Sequence, residues 1–266
     1  MAATGRLSTL SLAIGVLLPL PLIAQPAPSA NAPPPIEPKA MEVLKAACDT
    51  LAAAKAMSFT AVSTYEKAAR NGQPLFYATL NQVTMQRPDK LRVVTPGDGV
   101  RDEFYYNGKT ITAYVPSEDL VAIADAPPTI EQMIDVAWEK AAIYFPFADM
   151  LMPKPCAVFE EHGLNSAFYV GQSQVVARIT TDMVAIAGDN VQAELWIGAA
   201  DHLPRLIRVV YPHEPAHALY QTEYSDWKLT DSIDAATFAS DKAGKAKPMK
   251  FQPPGLREQP PGGAKQ

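Results

Sequence analysis

The sequence predicts an α+β fold: one large curved antiparallel sheet with helices on a single face. Three observations predict it. Asn71-Gly72 and Asn107-Gly108 each separate two runs rich in branched and aromatic residues, which is the pattern of a tight hairpin. Helical spacing of apolar residues is confined to a stretch near the start of the domain and another in its middle. Nowhere do strands and helices alternate in the rhythm of a parallel βαβ unit.

The elements follow in order. Residues 37–55 read as a helix, with Met41, Leu44, Cys48 and Leu51 as its buried stripe and alanines between them. Residues 59–65 and 75–85 read as strands joined at Asn71-Gly72. Residues 91–95 follow Arg87-Pro88-Asp89-Lys90, and Pro96-Gly97-Asp98-Gly99 turns the chain again. Residues 104–106 and Thr110–Val115 flank Asn107-Gly108, and residues 120–124 add a further strand. Pro127-Pro128 stops the sheet. Thr129 then caps a helix, with Gln132 at the capping-box position and an apolar stripe of Ile130, Met133, Ile134, Ala137, Trp138 and Ala141. Residues 145–152 form a second short helix or apolar turn. Strand texture returns at 167–170, 175–181, 192–197, 205–211 and 219–229, and Asp234-Ala-Ala-Thr-Phe238 closes the domain.

The ends have a different character. Arg6 followed by the apolar run 7–23 reads as a secretory signal peptide, cleaved near Ala24 or Ala30. Pro19 and Pro21 interrupt the run, which argues against the alternative of an uncleaved anchor. Neither cysteine sits at its end, so acylation of a lipoprotein type is not expected. The expected organisation is a signal peptide at 1–24, a Pro/Ala-rich linker at 25–38, one domain at 39–252 and a disordered tail at 253–266. The mature chain is expected to be periplasmic and not membrane-spanning. Its net charge of −5, without a basic block, gives no footprint for nucleic acid. In an exported chain the two cysteines, Cys48 and Cys156, are expected to form a disulfide; the alternative is two separate buried thiols.

One stretch looks catalytic. His213, Glu214 and His217 spell H-E-x-x-H, a metallopeptidase signature that places two imidazoles on one helix face to hold zinc. Here Pro212 precedes the motif and Pro215 lies inside it. An internal proline costs a helix about 3 kcal/mol. Strand-like runs flank the segment on both sides, so it reads as the turn of a hairpin. The zinc peptidase is kept as a remote alternative. Gly171-Gln-Ser-Gln-Val175 misses the nucleophile-elbow pattern at its last position. Glu160-Glu161-His162 and Asp201-His202 lack metal-ligand spacing to a partner. No catalytic residue, metal or cofactor is expected, and the chain is not read as an enzyme.

Several blocks occur in a fixed order: Met57-Ser-Phe59, Gln86-Arg-Pro-Asp-Lys-Leu-Arg92, Tyr106-Asn-Gly-Lys-Thr-Ile-Thr-Ala-Tyr-Val-Pro116, Leu203-Pro204 and Asp234-Ala-Ala-Thr-Phe238. The series resembles the LolA-like lipoprotein-carrier superfamily and, within it, a family of predicted periplasmic proteins of unknown function. The resemblance spans residues 40–251. It implies an unclosed β-barrel of about eleven strands with a helical lid over an apolar cavity. It also implies a carrier or binder of a lipid, lipoprotein or other apolar ligand, or alternatively an envelope sensor domain with a protein partner. Arg87 matches the arginine of the carriers' R-P motif, a position that the resemblance implies pins a loop or helps release a lipid; the alternative is a solvated arginine at a strand end. Phe76, Tyr106, Tyr114, Trp138 and Trp196 are the expected cavity-lining residues, on strand faces and lid helices.

Overall fold

The computed structural model describes residues 36–97, 101–157, 159, 163–213 and 219–253. The expected signal segment, the linker up to residue 35, the tail beyond Pro253, and the pair Glu214 and His217 lie outside the described residues. The first helix, α1 (Pro38–Ala53), starts on a proline, whose fixed φ suits the first helical turn. Its buried face is Ala40, Val43, Leu44, Ala47 and Leu51. Met41, expected in that stripe, is 37% exposed. The face is rotated because the small side chains of Ala40 and Ala47, not the larger methionine, let the helix lie close against the sheet.

The strands are β1 (Ala56–Ala68), β2 (Pro74–Gln86), β3 (Lys90–Thr95), β4 (Asp102–Tyr106), β5 (Thr110–Val115), β6 (Leu120–Asp125), β7 (Ser166–Ser173), β8 (Thr181–Ala187), β9 (Gln192–Gly198), β10 (Pro204–Val210), β11 (Leu219–Thr230) and β12 (Lys247–Pro248). Among the described residues they form one twelve-stranded sheet in the order β12-β6-β5-β4-β3-β2-β1-β11-β10-β9-β8-β7. The two end strands do not pair with each other, so the barrel is unclosed. Every pairing is antiparallel except that of the two-residue β12 with β6. The β1–β2 hairpin pairs without a break from Ala56 opposite Gln86 to Ala68 opposite Pro74. Gly72, with φ 81°, closes its turn in the left-handed region that glycine enters freely.

One expected strand is a loop. Residues 174–180 turn between β7 and β8, and β8 begins only at Thr181. Val175 is 75% exposed. Ala177 and Arg178 both take left-handed backbone, at φ 48° and 59°, which a strand does not accommodate.

Helix α2 (Ile130–Ala141) is capped as expected: the Thr129 side chain accepts from the Gln132 N–H. With the short helix α3 (Ala148–Leu151) it fills the inner face of one half of the sheet. Ile130, Met133, Phe145, Phe147 and Leu151 pack there on Phe59, Val83, Leu91, Phe104 and Ile111. A bulge near Asp226, at φ 57°, keeps Trp227 beside Phe59, with ring centroids 4.5 Å apart. Over the other half lies α1. Ala40, Val43, Leu44 and Ala47 pack on Ala167, Val184, Ile186, Leu195 and Ile197 of β7, β8 and β9.

The outer face is also partly covered. A 3-10 turn at Ala243–Lys245 lays Ala243 on Tyr114 and Val121, and β12 then joins the edge of β6. At the opposite edge, Ile36 bridges to Ala167. The Glu37 N–H donates to the Ala167 carbonyl at 2.8 Å, and the Glu37 carboxylate accepts from the Tyr169 N–H at 2.9 Å.

Candidate functional site

Between α1 and the β8–β10 part of the sheet lies a cavity of about 580 Å³. Strand alternation builds its floor. Ile186, Ala193 and Val209 stand opposite one another across β8, β9 and β10, and Leu195 and Ile207 form the next row. The roof is Leu44, Ala47 and Leu51 of α1. Met150, Phe159 and Leu164 close one side.

Cys48 and Cys156 are joined in a disulfide, with Cα atoms 5.9 Å apart, and both line the cavity. The bond ties the segment after α3 to the roof helix. Arg87 ties the same two parts from the other side. Its Nε donates to the Ala54 carbonyl at 3.1 Å, and its Nη1 and Nη2 donate to the Leu151 and Met152 carbonyls at 2.7 and 2.8 Å. These carbonyls lie at the C-terminal ends of α1 and α3, where backbone acceptors lack helical partners and attract a cation.

Two carboxylates line the cavity, Asp149 and Asp189. Asp189 is in the β8–β9 turn, accepts from the Asn165 side-chain amide at 2.7 Å and offers its carbonyl 3.1 Å from His213 Nε2. Asp149, on α3, takes no hydrogen bond from a described residue. Its side chain is exposed at the cavity, and partial desolvation by the protein around it raises its carboxyl above the usual carboxylate range. Its charge reaches Tyr144 and Tyr224. Both hydroxyls are pushed up, first by their own burial and then by Asp149. Beside Tyr224 on the same face, Thr222 and Ser63 share a buried hydrogen bond of 3.0 Å. The inner face thus grades from aliphatic at β8–β10 to hydroxyl-bearing at β11 and β1.

The six residues named from the sequence lie elsewhere, and none lines this cavity. Phe76 is 65% exposed on β2. Trp138 is 58% exposed on α2, packed edge-on to Tyr144. Tyr114 is buried on the outer face under the 3-10 turn. Trp196, between Leu195 and Ile197, points to the face opposite the cavity. Tyr106 is fully buried in the packed half. Its hydroxyl donates to the Pro127 carbonyl at 2.7 Å and is pushed up to about 12, by burial and then by the charge of Asp89. Arg87 pins the roof and holds nothing in the cavity.

The two motif blocks of the resemblance meet at that packed end. Lys90 bridges Asp89 and the Asn107 carbonyl, at 2.9 and 2.8 Å. The Asp89 carboxylate fills the space beside Gly108, which has φ 87° and where a Cβ would collide with it. The Ile130 N–H donates to the Pro88 carbonyl at 3.0 Å and seats α2. These blocks are scaffold. Ala193, Leu195, Ile207 and Val209 lie in segments the sequence reads as strands, and which of their faces meets the cavity is set by long-range pairing; Ile186 lies in the part of β8, residues 182–187, that the sequence does not read as a strand. The alternation in that part, with Val184 and Ile186 on one face, was the signal available.

The segment holding H-E-P-A-H connects β10 and β11, which pair up to Val210 opposite Leu219. Among the described residues, no group of three His, Cys, Asp or Glu side chains is placed to hold a metal. No helix among them is long and apolar enough to cross a membrane.

Residues 40–252 match the DUF2092 family, described as predicted periplasmic protein. The chain belongs to this family. No curated protein matches the DUF2092 chain. Among solved structures it is similar to LprF from Mycobacterium bovis, at 15% identity over 74% of this chain and 98% of that one, with a TM-score of 0.45. It is similar to the MucA/MucB complex from Pseudomonas aeruginosa, at 16% identity over 77% of this chain and 62% of that one, with a TM-score of 0.43. It is also similar to the LolA superfamily protein NE2245 from Nitrosomonas europaea, at 12% identity over 76% of this chain and 98% of that one, with a TM-score of 0.33.

Proposed function

We propose that this protein is a periplasmic, non-enzymatic carrier or binder of an apolar ligand, a lipid or the acyl chain of a lipoprotein. The observation that carries the reading is the cavity between α1 and β8–β10, with its aliphatic floor and roof. Its volume of about 580 Å³ lies within the range of small-molecule sites, ~300–1,000 Å³. An apolar chain placed there removes its surface from water at roughly 25 cal/mol per Å². The disulfide and Arg87 hold the roof in place, so the site is formed before the ligand arrives.

The test is native mass spectrometry on protein exported to a bacterial periplasm and purified without detergent. The expected result is an added mass matching a lipid or acyl chain, displaced by an uncharged fluorescent probe such as N-phenyl-1-naphthylamine. A bare polypeptide that also fails to bind the probe overturns the reading.

A second reading is an envelope sensor with a protein partner. The outer face of the β7–β9 region favours it, because Phe168 and Val170 are exposed there beside a shallow groove that includes Glu194 and Arg208. Pull-down from periplasm without a stable partner counts against this reading.

A further inference from the structure

The cavity floor is one end of a longer row. Ile186, Ala193 and Val209 stand in register across β8, β9 and β10, and the register carries on. Val209 opposes Tyr220 of β11, Tyr220 opposes Tyr65 of β1, and Tyr65 opposes Tyr77 of β2. Residues directly opposed in neighbouring strands share a face of the sheet, so three tyrosines extend the aliphatic floor along the inner face. Their rings meet. Tyr65 and Tyr77 stack with centroids 5.4 Å apart, and Tyr220 meets Tyr211, itself a cavity residue, edge-on at 5.5 Å. At about 4.8 Å per strand the row runs roughly 24 Å along the sheet from Ile186 to Tyr77.

The far end of the row lies on a projecting ribbon. β1 and β2 pair on to Ala68 and Pro74. Among the described residues, β11 accompanies β1 only as far as Tyr65, and β3 accompanies β2 only from Gln82. Leu75, Phe76 and Tyr77 are exposed on this ribbon. Alternation puts Leu75 and Tyr77 on the inner face and Phe76 on the outer. Lys67 and Arg70 are exposed beside them. Residues 66–73 therefore carry two cations against the one acid Glu66, in a chain whose net charge is −5.

We propose that the β1–β2 hairpin docks on a lipid surface with anionic head groups, and that the tyrosine row leads an acyl chain from that surface to the cavity. The docking surface stands by itself; the route rests on the carrier reading. A docked protein covers one face of a ribbon, whereas this ribbon is apolar on both, which suits insertion among head groups and chain ends. Tyrosine fits that depth, because its ring packs on acyl chains while its hydroxyl stays with water. Lys67 and Arg70 meet the anionic heads. With the tip seated, the row offers a chain continuous contact as far as the floor.

The full mature protein is floated with vesicles of phosphatidylcholine and phosphatidylglycerol. Removal of pyrene-labelled phosphatidylglycerol from the same vesicles is followed by the loss of excimer emission. The unaltered protein is expected to float and to remove the label, and to do both less well in high salt or without phosphatidylglycerol. The double variant Leu75→Ser, Phe76→Ser is expected to float at least about tenfold less and to remove the label at least about tenfold more slowly. It is expected to bind N-phenyl-1-naphthylamine from solution like the unaltered protein, since neither residue lines the cavity. Equal flotation of the two proteins overturns the docking surface. So does a mass in light scattering that falls from dimer to monomer in the variant, which assigns the ribbon to a second copy of this chain. Lost flotation with unchanged removal of the label overturns the route. In each of these cases a bound probe leaves the carrier reading standing. Failure of the unaltered protein to bind the probe removes that reading and the route with it, and flotation alone then decides the docking surface.

Discussion

Two residues carry the sharpest consequences. Arg87 uses its planar fork to gather carbonyls from the ends of α1 and α3. Lysine keeps the charge but cannot present that geometry. Arg87→Lys is expected to cost roughly 1–3 kcal/mol in urea unfolding, the range for lost charge-assisted hydrogen bonds. A change within a few tenths of a kcal/mol shows that the guanidinium pins nothing. Asp149 acts in the opposite sense. Its folded carboxyl holds a proton more tightly than the unfolded one, because partial desolvation disfavours the charge. Its effect on stability is therefore most favourable below the unfolded value of about 3.9 and worsens as pH climbs through the raised folded value. Asp149→Asn is expected to raise the melting temperature near neutral pH and to leave it unchanged below about pH 3. A pH-independent difference between the two proteins removes the argument.

Among elements, the disulfide has the largest reach. It links positions 108 residues apart. The chain-entropy account gives about 4.7 kcal/mol for a loop near that length, as an upper figure. The double variant Cys48→Ser, Cys156→Ser is expected to lose stability up to that amount in denaturant titrations, and also to bind the apolar probe more weakly, because both cysteines line the cavity. Unchanged probe binding separates the stapling role from any role in shaping the site. Elements with local signals were readable in the sequence. Asn71-Gly72 and Asn107-Gly108 set their hairpins, and Thr129 set its cap, because each signal acts within a few residues. The turn after β7 was not readable. Val175, Val176, Ile179 and Thr180 have strand composition, while the left-handed backbone at Ala177 and Arg178 belongs to the way β7 and β8 meet.

The whole molecule is a sheet with one packed half and one hollow half. Helices α2 and α3 fill the first, and α1 spans the second. That division depends on contacts far apart in sequence, so no local pattern announced it. Size misled the choice of lining residues. A large aromatic such as Tyr106 makes a solid core, and the hollow half is floored by aliphatics of middle size. Ala193→Trp, set in the middle of that floor, is expected to abolish probe binding while leaving the melting temperature within a few degrees, since the ring enters space already empty. A large loss of stability instead shows that the floor has no room for it.

The Glu37 carboxylate at the rim of β7 has a consequence beyond the monomer. A strand at the margin of a sheet offers its amides as a template to any other chain, and proteins blunt such margins to stay dispersed. Here the blunting rests on Ile36 against Ala167 and on one carboxylate at the Tyr169 N–H. Glu37→Ala removes the charge and frees that amide. In concentrated solution the variant is expected to associate margin to margin, seen in light scattering as a mass that rises with concentration where the unaltered chain holds constant. Ile36 and Glu37 are then a guard against self-assembly, and any truncation that begins at Pro38 forfeits it.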